Sequence, residues 1–184
     1  DDVYGVISSY LYTQPIKGIG VDIWATPDNI KGWELVLEDP DIPAESKEEI
    51  QKQVEKMKHQ VNQNINIVED VIVSSLTPLL FPKNVVILIN EKCASTTEQF
   101  LLEARQSTKV TLMGQNTSGT LDYSNLRESN FCEMPYLLYA PTTRSRRIDI
   151  GEGIDGIGIK PAIYLNEKED WIQEALKFLN NKPL

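Results

Sequence analysis

The apolar run NVVILIN (residues 84–90) is continuous and rich in β-branched residues, the pattern of a strand buried on both faces. Residues 95–106 then place Phe100, Leu101 and Ala104 on one side of a helix, and KVTLMG (109–114) reads as a second strand. Strand, helix and strand with short links predict a βαβ unit whose strands run parallel. Upstream, VYGVISSYLY (3–12) carries apolar residues on most sides and predicts a buried helix. GIGVDIWAT (18–26), bounded by Gly18 and Pro27, predicts a strand. Residues 40–65 change character. DPDIPAES is turn-rich, Ser46-x-x-Glu49 has the form of a capping box, and Ile50, Val54, Met57 and Val61 follow at helical spacing. That stripe is narrow and its flanks are charged, so this helix lies on the surface or covers something. Further on come a Gly/Ser/Thr/Asn loop (114–125), the apolar segment FCEMPYLLYAP (131–141) and the glycine-rich DIGEGIDGIGIKP (149–161). A strand over 161–165 and a helix repeating Trp171, Ile172, Ala175, Leu176 and Leu179 complete the pattern. There is no internal repeat.

Composition narrows the classes. A chain of 184 residues, 41% hydrophobic and 24% charged, suffices for one well-filled domain or a domain with an appendage. A formal net charge of −9, with RSRR (144–147) as the only basic cluster, argues against a nucleic-acid surface. No apolar run approaches the roughly 18–20 residues that cross a bilayer, so no membrane span is expected in this chain. The opening Asp1-Asp2 reads as a start inside a longer protein, with an N-terminal part of the same protein missing. Cys93 and Cys132 could pair, or stay as two buried thiols; no CxxC or Cys/His spacing suggests a metal. The glycines of 149–161 do not follow a strand as GxGxxG, so no dinucleotide site is expected, and no cofactor of any kind. His59, the only histidine, sits in the polar stretch SKEEIQKQVEKMKHQVNQN, which reads as a solvated helix face.

The chemistry concentrates in NEKCASTTEQFLLEA (90–104), where one strand hands over to a helix. Ser95-x-x-Glu98 is a second capping box, and periodicity alone favours the cap. A helix N-terminus also offers free backbone N–H groups and a positive dipole end to a developing oxyanion. Ser95 therefore reads as a cap, a nucleophile, or both.

The stretch VVILINEKCASTTEQFLLEARQSTKVTLMGQNTSGT, followed by GIGIKPAIYL, resembles the core of the S41 serine peptidases. That family includes C-terminal processing (tail-specific) proteases, tricorn-type proteases and interphotoreceptor retinoid-binding repeats. Its pattern falls here on Ser95, Glu98, Gly114, Thr117, Gly119 and Gly158-Ile159-Lys160-Pro161, over about residues 80–180. The resemblance implies an α/β fold with a ClpP/crotonase-like β-β-α superhelix core. Residues 1–184 would then be one peptidase-domain fragment, with 40–65 as a helical insertion. It implies proteolysis of a peptide or protein substrate through a Ser95 acyl-enzyme. The Thr96 N–H would be an oxyanion donor, and Gly114, Thr117, Gly119 and Thr120 would lie along the substrate.

Two departures shape the expectation. Processing proteases of this family keep a lysine base where Thr120 stands, and a hydroxyl cannot replace an amine as general base. Lys109, in the preceding strand, is a poor substitute. The tricorn-type branch instead takes a histidine from an upstream segment and an acidic residue in the loop before Gly-x-x-Pro. Asp155 matches that acidic position, with Glu152 as runner-up and a plain turn residue as the alternative. The family's upstream Arg-x-Asn-x-Gly-Gly strand end is not in this chain. The fragment is therefore expected to be inactive alone, within a parent peptidase. A catalytically silent module that binds peptide or an apolar ligand is the alternative. Family analogy implies an extracytoplasmic location, in the periplasm or cell envelope.

Overall fold

The computed structural model describes residues 4–130 and 135–182. In chain order these form helix α1 (Gly5–Leu11), strands β1 (Ile16–Gly18) and β2 (Val21–Trp24), and helices α2 (Pro27–Glu38) and α3 (Ala44–His59). Strands β3 (Asn64–Val68), β4 (Val71–Val73) and β5 (Val85–Ile89) follow, then helix α4 (Thr96–Ala104) and strand β6 (Val110–Gly114). Strands β7 (Tyr123–Asn130) and β8 (Leu137–Ser145), a 3-10 turn (Arg146–Ile150), strand β9 (Ile163–Tyr164) and helix α5 (Trp171–Asn180) complete it. The contacts divide the chain into two compact units. One is formed by the chain up to Gly18, Asp70–Asp122 and Glu152 onward; the other by Ile19–Glu69 and Tyr123–Gly151.

The first unit contains the predicted βαβ element. Strands β5 and β6 pair in parallel from Val85↔Val110 to Ile89↔Gly114, and β9 adds to β6, also in parallel. Helix α4 follows β5 and buries Leu101, Leu102 and Ala104. Together with Ile89, Leu112, Ile154 and Ile159, the two leucines form the core of this unit. Two expectations need correction. NVVILIN is not buried along its length: only Ile89 is, and Val85–Leu88 are half-buried. The sheet order β5-β6-β9 makes β5 an edge strand, with one flank unpaired. Nor is the first helix buried all round. Val6 is 77% exposed, and only Leu11 and the following Tyr12 are covered. Two turns of helix can lean on a neighbour along one side only. Here the anchor is Tyr4, whose ring lies 5.3 Å from that of Phe100 and whose hydroxyl donates to Glu103.

The second unit is an antiparallel sheet of order β3-β2-β8-β7. Its core joins Ile23, Ala25, Ile65 and Ile67 from the β2 and β3 segments to Ile30, Val54 and Met57 from α2 and α3. The stripe read in residues 40–65 is thus real at Val54 and Met57. Val61, past the helix end, is 42% exposed. The capping assignment at Ser46 is corrected. Helix α3 opens three residues earlier, with Pro43 as its N-cap, so Ser46 lies within the first turn. Helix α2 was not anticipated, although its signature is legible. The Thr26 hydroxyl accepts from the Asn29 N–H at 3.1 Å, Pro27 takes the first helical position and Asp28 sits in the first turn. GIGVDIWAT, expected as a strand, holds β2 over Val21–Trp24; its first residue, Gly18, instead closes β1, which belongs to the other unit. In the apolar segment 131–141, residues 131–134, and with them Cys132, lie outside the described residues; Cys93 is a free thiol.

Met57 is fully buried in the second unit. Met57→Ala should therefore lower unfolding free energy by about 2–5 kcal/mol. Val6→Ala, on the exposed side of α1, should change it by no more than about 0.5 kcal/mol. Urea midpoints at constant m-value decide between these outcomes.

Candidate active site

β5 ends at Ile89, and a tight turn carries the chain to α4. The Asn90 side-chain oxygen accepts from the Lys92 N–H at 3.0 Å and its carbonyl from the Cys93 N–H at 2.9 Å. Ser95 then takes the N-cap position with φ 53 and ψ −121, a left-handed geometry strained for any residue with a Cβ. Its side chain is exposed, and its hydroxyl has no titratable partner among the described residues. Ser95 and Glu98 form a capping box, the Ser95 side chain facing the Glu98 N–H and the Glu98 carboxylate accepting from the Ser95 N–H. The Glu98 N–H also donates to the Ser95 carbonyl at 2.7 Å. Thr96 opens the helix; its N–H has no partner among the described residues and stands at the positive end of the helix dipole.

Beneath this turn lies Glu98, with no exposed surface. Its Oε2 accepts from the Ser95 N–H at 3.2 Å and the Thr120 N–H at 2.9 Å. Its Oε1 accepts from the Thr117 hydroxyl at 2.5 Å and the Gly119 N–H at 2.7 Å. Four donors give a buried carboxylate what water would otherwise supply. The Gly-x-x-Thr-x-Gly loop is thereby tied to the serine turn, and the Ser118 N–H adds a bond to the Cys93 carbonyl at 2.9 Å.

The third segment joins through Thr117. Its hydroxyl accepts from the Ile159 N–H at 2.7 Å while donating to Glu98, and its own N–H donates to the Ile159 carbonyl at 3.2 Å. Gly158 (φ +69) permits this approach, because a Cβ there would overlap the Thr117 carbonyl. Gly114, the last residue of β6, makes a similar approach: a Cβ on it would overlap the Ile89 carbonyl. The structure thus gives Gly114 a packing role between β5 and β6. Thr120 is exposed; its hydroxyl lies 3.5 Å from that of Ser118.

Asp155 is exposed, and its Oδ1 accepts from the Leu121 and Asp122 N–H groups, both at 2.7 Å. Asp122, 1% exposed, returns the gesture by accepting from the Ile154 and Asp155 N–H groups. This reciprocal clasp was not foreseen. Its only trace in the sequence is an aspartate at each end of the two loops it joins. Glu152 is exposed. Lys109 is committed elsewhere, donating to the Leu79 carbonyl at 2.6 Å and the Tyr10 carbonyl at 3.3 Å. His59 is the exposed last residue of α3, in the other unit. Ser95, Glu98, Thr117, Gly119 and Thr120 therefore form one hydrogen-bonded cluster. Asp155 is joined to it through the loop, and among the described residues no titratable side chain is bonded to the Ser95 hydroxyl. Among the described residues no group of acidic, histidine and cysteine side chains is arranged to hold a metal ion, and no helix is long and apolar enough to cross a membrane.

A mixed α/β unit, with a strained serine at a helix N-terminus and a Gly-x-x-Thr-x-Gly loop pinned beneath it, defines a peptidase-type architecture. The chain belongs to Peptidase family S41, whose model matches residues 32–165. Solved structures agree at the level of the fold. A candidate peptidase from Parabacteroides merdae matches 96% of this chain and 46% of its own, with 17% identity and TM-score 0.53. Mature CPAF matches 88% and 36%, with 18% identity and TM-score 0.54. A point mutant of CPAF matches 98% and 41%, with 16% identity and TM-score 0.58. This chain thus spans less than half the length of each. Comparison with curated proteins finds no match.

Two substitutions probe this geometry in opposite directions. Ser95→Gly relieves the backbone strain, and glycine in place of a capping serine costs only a few tenths of a kcal/mol, so stability should rise by about 1 kcal/mol. Gly158→Ala forces a Cβ into the Thr117 carbonyl at positive φ and should cost about 3 kcal/mol or more. Chemical denaturation of both variants would show the signs.

Proposed function

We propose that this chain carries the nucleophile part of an S41-type serine endopeptidase acting on peptide or protein substrates. The supporting observation is the strained Ser95, whose exposed hydroxyl stands at the start of α4 beside the Thr96 N–H, which has no partner among the described residues. In this reading a base takes the Ser95 Oγ proton as Oγ bonds to the scissile carbonyl carbon. The carbonyl oxygen becomes an oxyanion facing the Thr96 N–H and the dipole of α4. Collapse of that intermediate breaks the C–N bond, the protonated amine leaves, and water hydrolyses the acyl-enzyme. Thr117, Gly119 and Thr120 shape the floor beneath the substrate, while Gly114 sets the strand spacing next to it. Asp155 would orient or polarise the base, which lies in another part of the protein. By family analogy the whole protein works outside the cytoplasm, in the periplasm or cell envelope.

The Ser95 hydroxyl, with no titratable partner among the described residues and with Thr120 at the position of the processing proteases' lysine, also favours a second reading, a silent module that binds peptide or an apolar ligand. Labelling of the full-length protein with a fluorophosphonate separates the two. The peptidase reading expects a phosphonyl adduct on Ser95. It also expects Ser95→Ala to lower peptide hydrolysis at least about 10³-fold, with unfolding free energy changed by no more than about 0.5 kcal/mol. A well-folded full-length protein with no adduct, and with all activity retained in Ser95→Ala, would establish the silent module instead.

A further inference from the structure

We propose that Glu98 is a positioning residue for the chemistry of Ser95, an inference that rests on the nucleophile reading above. Residue 98 grips both peptide groups that flank the Ser95 α-carbon. Its carboxylate takes the Ser95 N–H at 3.2 Å, and its own N–H donates to the Ser95 carbonyl at 2.7 Å. The Gln99 N–H adds a second donor to the same carbonyl at 3.1 Å. A non-glycine residue stays in a strained conformation only when its surroundings over-determine it, and here the two bonds to residue 98 supply most of that restraint. They also determine which amide is spent. The Ser95 N–H points inward to the carboxylate, leaving the Thr96 N–H as the outward donor at the start of the helix.

The carboxylate is in turn immobilised by a loop distant in sequence. The Thr117 hydroxyl and the Gly119 and Thr120 N–H groups take up the rest of its acceptor capacity, and Glu98 has no exposed surface from which to relax into water. A neutral amide of the same shape is a poorer fit. With its NH₂ at the Oε2 position, a glutamine faces the Ser95 and Thr120 N–H groups donor to donor, and the serine turn loses its anchor. With its NH₂ at the Oε1 position it faces the Gly119 N–H in the same way and takes from the Thr117 hydroxyl the acceptor it donates to. The nucleophile and its oxyanion donor would then be misplaced, and misplacement by a fraction of an ångström to an ångström is costly in rate.

Full-length protein carrying Glu98→Gln provides the test, read by the rate of fluorophosphonate labelling at Ser95 and by kcat and KM on a peptide. Labelling rate and kcat should fall about 10- to 100-fold, with KM within about threefold, in a variant that still unfolds cooperatively. If Glu98→Gln does not fold, Thr117→Val, which removes one donor from the carboxylate, should lower the labelling rate, and Thr117→Ser should restore it. A folded Glu98→Gln, or in its place Thr117→Val, that labels at the parental rate overturns the positioning role while leaving Ser95 as nucleophile. Absence of labelling in the parental protein overturns the nucleophile reading and this proposal together.

Discussion

Burying a carboxylate is among the more costly things a fold can do, and the first unit does it at its centre. Glu98 is tolerable there only because four donors converge on it. Those donors come from the serine turn and from a loop about twenty residues further along the chain. A third segment, at Ile159, is attached through the Thr117 hydroxyl. Removing the carboxylate leaves buried N–H groups unsatisfied in two segments at once, whereas replacing one apolar core residue leaves only a cavity. The cluster is therefore a joint rather than a decoration on the sheet: β5, β6 and the glycine-rich loop before β9 meet through it.

The same joint removes an apparent conflict at Ser95. A cap needs the serine turn held to the helix, whereas the proposed nucleophile needs its hydroxyl able to leave that contact. Here the Ser95 carbonyl also accepts from the Glu98 N–H, and the Glu98 carboxylate takes the Ser95 N–H, so the turn is held by backbone groups as well as by the capping hydroxyl. The cost is a positive φ at a residue with a Cβ, where glycine would be less strained.

Much of this was legible in the sequence, and the limits were physical. The βαβ element was readable because its periodicities are local: a continuous apolar strand, a helix with a one-sided stripe, and a short second strand. Degrees of burial were not readable, because they depend on sheet order. β5 turned out to be an edge strand, and α1 touches its surroundings along one side only. The break between β1 and β2 leaves no local signal, since apolar residues continue across it while the chain changes unit. Within the site, Ser95, Thr117 and Gly119 could be named from the motif they resemble. The Asp122–Asp155 clasp could not, since backbone acceptance by an aspartate leaves no spacing signature across thirty-odd residues. Nor could the four-donor environment of Glu98, which joins segments that no local pattern connects.

That clasp places Asp155 in the same framework. Its Oδ1 receives two N–H groups at 2.7 Å, and Asp122 answers from the other loop by accepting from the Ile154 and Asp155 N–H groups. The aspartate is thus restrained through the loop that follows Gly119, the residue whose N–H reaches Glu98. At Asp155, at Asp122 and at Glu98 alike, backbone N–H groups converge on a carboxylate, and segments distant in sequence are held together by that one kind of contact.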